Sequence, residues 1–182
     1  GKGKTRTRSV GGMGIQGKRI SRGPENLETE ETSEIGLGDL NDIKILYTNA
    51  DGLINKRHEL YALLNSMENR PHIIAITEVK GKIIKNLVML SELNLEGYQC
   101  FCLGLEDSAA RGVLIYVDDR LKADLVDIPT TFKECLFVKI HYSNNANFLL
   151  GNIYRSPSSV DKNDEDLCKL IKYVAKQYSP TP

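Results

Sequence analysis

Tryptophan is absent from the sequence, cysteine is scarce, and no apolar run approaches the roughly 20 residues that span a bilayer. Four cysteines in 182 residues do not indicate a disulfide scaffold, so we expect buried thiols in a reducing, intracellular compartment. The first residues do not have the pattern of a signal peptide. Together these absences predict that a membrane is not among the partners.

What is present is an ordinary globular composition. Hydrophobic residues make up 41% of the chain and charged residues 26%, and the formal net charge is +0. This composition excludes a collagen-like, low-complexity or wholly disordered chain. The length suits one domain, which can bury a core without help from disulfides or metals.

Charge is unevenly distributed near the N-terminus. Residues 1–22 hold seven basic residues and no acidic one, whereas residues 23–42 hold seven acidic residues and no basic one. Because residues 1–42 have few apolar side chains, they cannot offset the entropy of ordering, and we expect a disordered, charged tail. Its basic half is either a solvated tail or an arm that touches nucleic-acid phosphates, and the charge pattern leaves both open.

An ordered region is expected from residue 43 onward. Apolar runs rich in β-branched residues predict strands, and apolar residues at helical spacing predict two helices. This order of elements predicts an α/β (α+β) fold, with 83–95 either helix or loop. The predicted strands are 43–47, 72–77, 98–103, 113–117, 121–127, 136–141 and 148–154. The predicted helices are 56–68, with an apolar face of Leu60, Leu63, Leu64 and Met67, and 161–178, with an apolar face of Leu167, Leu170, Ile171, Val174 and Tyr178.

Polar residues stand at the ends of three predicted strands, where α/β folds place functional groups. Asn49 and Glu78 follow two of them, and a carboxylate at such a place suits Mg²⁺. Tyr154 and Arg155 lie in "GNIYRSPSS", where a phenol and a guanidinium can contact phosphate. In the alternative reading Asn49 makes a turn, Glu78 caps the following helix or loop, Tyr154 is half-buried and Arg155 is solvated.

Five motifs in order carry a resemblance to a known family. They are "KILYTNADGLINKRHELYALL", "PHIIAITEVK", "ARGVLIYV", "ECLFVKI" and "NIYRSPSS". Over about residues 43–178 the chain resembles the endonuclease domain of non-LTR (LINE-type) retrotransposons, within the endonuclease/exonuclease/phosphatase superfamily. The resemblance implies a two-sheet α/β sandwich of the DNase I-like type, in which helices cover the sheets.

The resemblance also implies roles for particular residues. Asn49 matches the family's first active-site Asn and Glu78 its Mg²⁺-binding Glu, so both are expected at the metal. Tyr154 matches the Tyr that hydrogen-bonds the scissile phosphate. Arg155 matches a position that is commonly Arg in this group, which implies a DNA contact. The implied activity is Mg²⁺-dependent nicking of DNA. The implied partners are DNA and a downstream reverse transcriptase domain of the parent polyprotein, and the implied location is the nucleus.

The chain departs from the family in its later motifs. Neither an Asp-x-Asn that follows an apolar strand nor a Ser-Asp-His is present, and Asp161-Lys162-Asn163 is interpreted as the start of a helix. We therefore expect residues 43–182 to be a partial domain, the N-terminal portion, that lacks the nicking activity by itself. Two alternatives stay open: a non-catalytic remnant that binds nucleic acid or protein, and a phosphatase of the same superfamily.

Overall fold

The structure, a computed structural model, describes residues 18–20, 42–81, 88–107, 109–142 and 146–178. Over these ranges it is a mixed α/β fold with two β-sheets and two α-helices, which confirms the predicted α+β class. The elements in chain order are β1 Lys18–Ile20, β2 Ile45–Asn49, α1 Leu53–Ser66, β3 Ile73–Thr77, a 3₁₀ helix Leu90–Leu93, β4 Tyr98–Leu103, β5 Val113–Asp118, β6 Lys122–Val126, β7 Cys135–His141, β8 Asn147–Ile153 and α2 Asp161–Tyr178.

The larger sheet has five strands in the order β1-β4-β5-β3-β2, and the smaller sheet has the order β6-β7-β8. Strands β2 and β3 are parallel and are joined through α1, whereas the other pairs are antiparallel. In the parallel pair Asn49 lies opposite Thr77. The carboxyl ends of β2 and β3 therefore meet at one edge of the sheet, and the residues that follow them are brought together.

The hydrophobic core has two layers, one on each face of the larger sheet, and alternate side chains of the central strand β5 belong to one layer or the other. Val113, Ile115 and Val117 are buried with residues of the smaller sheet, whereas Leu114 and Tyr116 are buried in the cluster that includes α1. Successive side chains of a strand point to opposite faces, so a strand covered on both faces is apolar throughout. This explains why "VLIYV" has no polar alternation.

Helix α2 covers the outer face of the smaller sheet. Its Leu170 is buried with Phe137 of β7. It is also buried with Ile128 and Phe132 of the loop that joins β6 to β7. Burying a side chain of this size contributes roughly 1.5–3 kcal/mol. The layers of the sandwich are thus α1, the larger sheet, the smaller sheet and α2.

The predicted strands are all confirmed, with ends that differ by up to two residues. Helix α1 begins at Leu53, earlier than expected, after Gly52 at a φ of 101°. The undecided segment 83–95 contains the 3₁₀ helix Leu90–Leu93, and its residues 83–87 lie outside the described ranges. Helix α2 has the predicted bounds.

Four expectations were wrong in detail. Leu63 on α1 and Ile171 and Tyr178 on α2 are exposed, because the buried stripe of each helix is narrower than predicted and is centred on Leu60 and Leu64 or on Leu170. Cys168 on α2 is also exposed, since it points away from that stripe, whereas the other three thiols are buried.

The predicted disordered tail includes one ordered segment. Lys18–Ile20 pairs with β4 in an antiparallel register, so this part of the prediction for residues 1–42 was wrong. A strand edge on β4 offers backbone partners to any extended segment, which the composition of the tail does not reveal. The rest of the tail up to residue 41 lies outside the described ranges. No helix in the part of the chain that the structure describes is long and apolar enough to cross a membrane.

Candidate functional site

Asn49 and Glu78 meet at the carboxyl ends of β2 and β3. The Nδ2 of Asn49 donates a hydrogen bond to Oε1 of Glu78 at 2.9 Å. The backbone continues the pairing past the strands, since Ala50 N donates to Thr77 O and Gly52 N to Glu78 O, each at 2.9 Å. The carboxylate of Glu78 is therefore held at a fixed place by both its own backbone and the Asn49 amide.

Tyr154 reaches the same carboxylate from the other sheet. It directly follows β8, and its backbone N donates to Glu134 O at 2.9 Å. Its hydroxyl lies near the Glu78 side chain. Burial, and after it the contact with Glu78, raises the pKa of Tyr154 above its usual value. The phenol is thus a neutral hydrogen-bond donor at physiological pH.

Two acidic residues of the site have an unusual backbone conformation. Asp51 has a φ of 42° and Glu78 a φ of 53°, and they are the non-glycine residues with positive φ among those described. This left-handed conformation is uncommon for residues with a Cβ, and such strain concentrates at functional sites. The Asn49 side chain contributes to the turn, because its Oδ1 accepts a hydrogen bond from Asp51 N at 3.2 Å.

Arg111 joins the two carboxylates. Its Nη2 lies 2.5 Å from Oε2 of Glu78 and also contacts Oδ1 of Asp51. Its Nε donates to the backbone oxygen of Lys80 at 2.9 Å. The Glu78 side chain is 14% exposed and that of Asp51 59%, so the ion pair with Glu78 is the better shielded of the two.

The backbone at Arg111 is held in place by hydrogen bonds to the side chain of Glu134. Oε1 of Glu134 accepts hydrogen bonds from Arg111 N at 2.7 Å and from Gly112 N at 3.1 Å. Burial raises the pKa of Glu134, although these bonds and the nearby cations oppose the shift. Gly112 has a φ of 78°, and a Cβ there would lie 3.1 Å from the Leu105 side chain. This position therefore favours glycine.

Lys80 packs behind the site. Only 4% of this residue is exposed, and its Nζ donates to the backbone oxygens of Leu105 and Asp107. Burial lowers its pKa, against the attraction of Asp107 and Glu134. Lys80 thereby fixes the loop that leads into Arg111.

Arg155 is directed elsewhere. Its Nε and Nη2 donate to the two carboxylate oxygens of Asp164 at 2.7 and 2.8 Å, which is a bidentate pair at the start of α2. A phosphate at Arg155 would have to compete with Asp164. Asp161 and Asp164 lie in the first turn of α2, in accordance with the interpretation of Asp161-Lys162-Asn163 as a helix start.

The oxygen donors at Glu78 suit a hard cation. Mg²⁺ is usually held in proteins by one or two carboxylates and keeps several waters. Glu78 and Asp51 provide two carboxylates of this kind, and in the structure they share one cationic group, the Arg111 guanidinium. The described ranges contain no group of three or more His, Cys, Asp or Glu side chains that could hold a metal.

The structure therefore brings together Asn49, Glu78 and Tyr154. The partners of the Glu78 carboxylate are side chains from other segments, which does not support the alternative in which it caps a following helix. Asn49 both makes a turn and orients Glu78.

Sequence reasoning missed Asp51, Arg111 and Glu134 as members of this cluster. The available signal was the position of Arg111 just before β5. Because β5 runs antiparallel to β3, with Val113 opposite Thr77, the residues before β5 lie beside those after β3.

Comparison with known proteins assigns no family. No protein-family model matches the chain, and no curated protein matches it. The chemistry of the site is therefore argued from its own geometry.

Proposed function

We propose that the chain is the N-terminal portion of a Mg²⁺-dependent phosphodiesterase, a DNA-nicking endonuclease of the retrotransposon type with a DNase I-like fold. One observation carries the proposal. Asn49 hydrogen-bonds the carboxylate of Glu78, and Tyr154, which follows a strand of the other sheet, lies near the same carboxylate. The motif resemblance assigns these same residues to the metal and the scissile phosphate, and their convergence supports that assignment.

Each residue has a role that its contacts support. Glu78 and Asp51 would hold the Mg²⁺, and Asn49 orients the Glu78 carboxylate through its Nδ2. The bound ion would polarise the phosphodiester and stabilise the leaving oxyanion. Tyr154, which stays protonated because burial raises its pKa, would donate its hydroxyl hydrogen to a phosphate oxygen.

Activation of the attacking water has no assigned residue. The sequence has no Ser-Asp-His, and no Asp-x-Asn stands directly at the end of one of the strands. Gly38-Asp39-Leu40-Asn41 has a similar composition, but it precedes the strands of the core and lies outside the described ranges. Catalytic groups act as a unit, so losing some removes most of the rate enhancement. We therefore propose that this chain does not nick DNA by itself.

The proposal is tested by nicking of supercoiled plasmid with the chain extended by its downstream reading frame. We expect Mg²⁺-dependent nicking that falls by orders of magnitude in Glu78→Gln, which keeps the shape of the side chain but removes its charge. Glu96→Gln, a change at an exposed carboxylate in the turn before β4, is the matched control. Equal nicking by both variants would contradict the metal role of Glu78.

A second candidate function is a non-catalytic remnant that binds protein. Strand β2 lies at the end of the five-stranded sheet, carries no charged residue, and exposes 48% of Ile45 and 62% of Tyr47. Uncharged edge strands are templates for pairing with another chain. For this function we expect oligomers in size-exclusion chromatography that Ile45→Lys abolishes, and persistence of the oligomers in the variant would contradict it.

A further inference from the structure

The guanidinium of Arg111 occupies the position between the two carboxylates of the candidate site. A single nitrogen, Nη2, contacts Oε2 of Glu78 at 2.5 Å and also Oδ1 of Asp51. The other contacts of Arg111, from Nε to Lys80 O and from its backbone N to Glu134, keep it at this place. Arg111 is therefore a built-in counterion and not a loosely attached surface residue.

We propose that Arg111 is an exchangeable counterion, which neutralises Glu78 and Asp51 until a divalent cation displaces it. The inference rests on the proposed function, because it assigns the divalent cation to the same carboxylates. It differs from that function in what it says of Arg111: this residue weakens binding of the metal by competing for its ligands.

The competition follows from the contacts. A divalent cation bound to Oε2 of Glu78 and Oδ1 of Asp51 would use the two atoms to which Nη2 now donates. A guanidinium cannot lose its proton, so it leaves the site only by moving. The side chain of Arg111 is 20% exposed and that of Asp51 59%, so both side chains have contact with solvent.

Electrostatics determines whether removal of the Arg111 charge strengthens or weakens binding of a divalent cation. The Arg111 guanidinium and a divalent cation are both positive, and two like charges at contact distance repel strongly in a partly buried site. Removing the positive charge of Arg111 should therefore tighten binding of a divalent cation, by about tenfold or more. If Arg111 instead only positions the carboxylates, its removal should weaken the binding.

The test is a titration of the full chain with Mn²⁺ alone, followed by the loss of the electron paramagnetic resonance signal of free Mn²⁺. We expect Arg111→Gln and Arg111→Met to bind Mn²⁺ about tenfold or more tightly than the parent chain. The two variants differ in polarity, so if one does not fold the other still gives the answer. The gain should be absent in the double variant Arg111→Gln/Glu78→Gln.

Two controls isolate the charge at this position. Arg120→Gln removes the same charge from an ion pair with Asp118 at the opposite end of β5, and should leave Mn²⁺ affinity unchanged. Arg111→Lys keeps the charge and should not tighten binding. A gain in Arg111→Lys equal to that in Arg111→Gln would overturn the proposal.

The possible outcomes separate this inference from the proposed function. Weaker or unchanged binding in the neutral Arg111 variants, with binding that still depends on Glu78, would overturn the counterion role and leave the metal site standing. Binding that is the same with and without the Glu78 carboxylate would contradict the proposed metal site itself, and the counterion role with it.

Discussion

Asn152 of β8 donates hydrogen bonds from its Nδ2 to the backbone oxygens of Ile76 in β3 and Leu114 in β5, each at 2.9 Å. The side chain thereby crosses from the smaller sheet to the larger one. Only 3% of Asn152 is exposed. Tyr154 follows two residues later and is buried with residues of the larger sheet, so this contact helps to hold the end of β8 near the candidate site.

We expect Asn152→Ala to destabilise the protein by about 1–3 kcal/mol, because two buried carbonyl oxygens lose a hydrogen-bond donor and a cavity forms. Chemical denaturation monitored by circular dichroism measures the change in the free energy of unfolding. Asn147→Ala, at the exposed start of the same strand, is the matched control and should have little effect. Equal stability of the two variants would show that the link between the sheets is energetically unimportant.

The stability of the protein should fall as the pH is lowered through the range in which His72 titrates. Nδ1 of His72 accepts a hydrogen bond from Lys44 N at 2.9 Å, which requires an unprotonated nitrogen. Burial lowers the pKa of His72, and Arg120 and Lys44 lower it further, against the attraction of Asp118. The folded state therefore binds the proton less readily than the unfolded state does.

The sign of this dependence follows by linkage. Above about pH 6.5, the unfolded value, neither state is protonated at His72 and no stability is lost. Between that value and the lower folded pKa the unfolded state binds more protons, so stability declines as the pH falls. We expect the melting temperature of His72→Gln to vary less between pH 7 and pH 5 than that of the parent chain. A melting temperature of His72→Gln that varies with pH as steeply as that of the parent chain would contradict the account.

Tyr154→Phe should lower the rate of nicking without changing the requirement for Mg²⁺, and so distinguish a phosphate contact from a metal ligand. The change removes the hydroxyl near Glu78 and leaves the ring in the core. In the extended chain we expect slower nicking with an unchanged Mg²⁺ requirement, whereas Glu78→Gln should raise that requirement. Equal and mild effects of the two changes in a plasmid assay would remove both assignments.

The chain itself should not convert supercoiled plasmid to the nicked form in Mg²⁺. The reason is the missing water activation, since the cluster around Glu78 contains no residue assigned to that step. Agarose gels over a time course measure the conversion. Nicking that survives purification and disappears in Glu78→Ala would contradict this expectation and would mean that the chain holds a complete site.

Sequence reasoning predicted the strands well because each is a short apolar run between turns, and strands covered on both faces read as continuous apolar segments. It predicted the helix faces less well. Leu63 and Ile171 have helical spacing but are exposed, because a helix that packs on a sheet buries only the stripe centred on its contact.

Of the residues in the candidate site, some were predicted from the sequence and others were not. Asn49 and Glu78 were predicted because they stand at the ends of apolar strands, where α/β folds place functional groups. Arg111 and Glu134 were not predicted, because their contacts depend on which antiparallel strand lies beside β3 and on how the smaller sheet packs against the larger one. Neither of these is encoded in local periodicity.

The central claim is that Glu78 belongs to a site for a divalent cation. The direct measurement is Mn²⁺ affinity, from electron paramagnetic resonance, of the parent chain, Glu78→Gln and the surface control Glu96→Gln. We expect the parent chain and Glu96→Gln to bind Mn²⁺ alike, and Glu78→Gln to bind about tenfold or more weakly while circular dichroism shows an unchanged fold. Equal affinity of Glu78→Gln and the parent chain would contradict the claim.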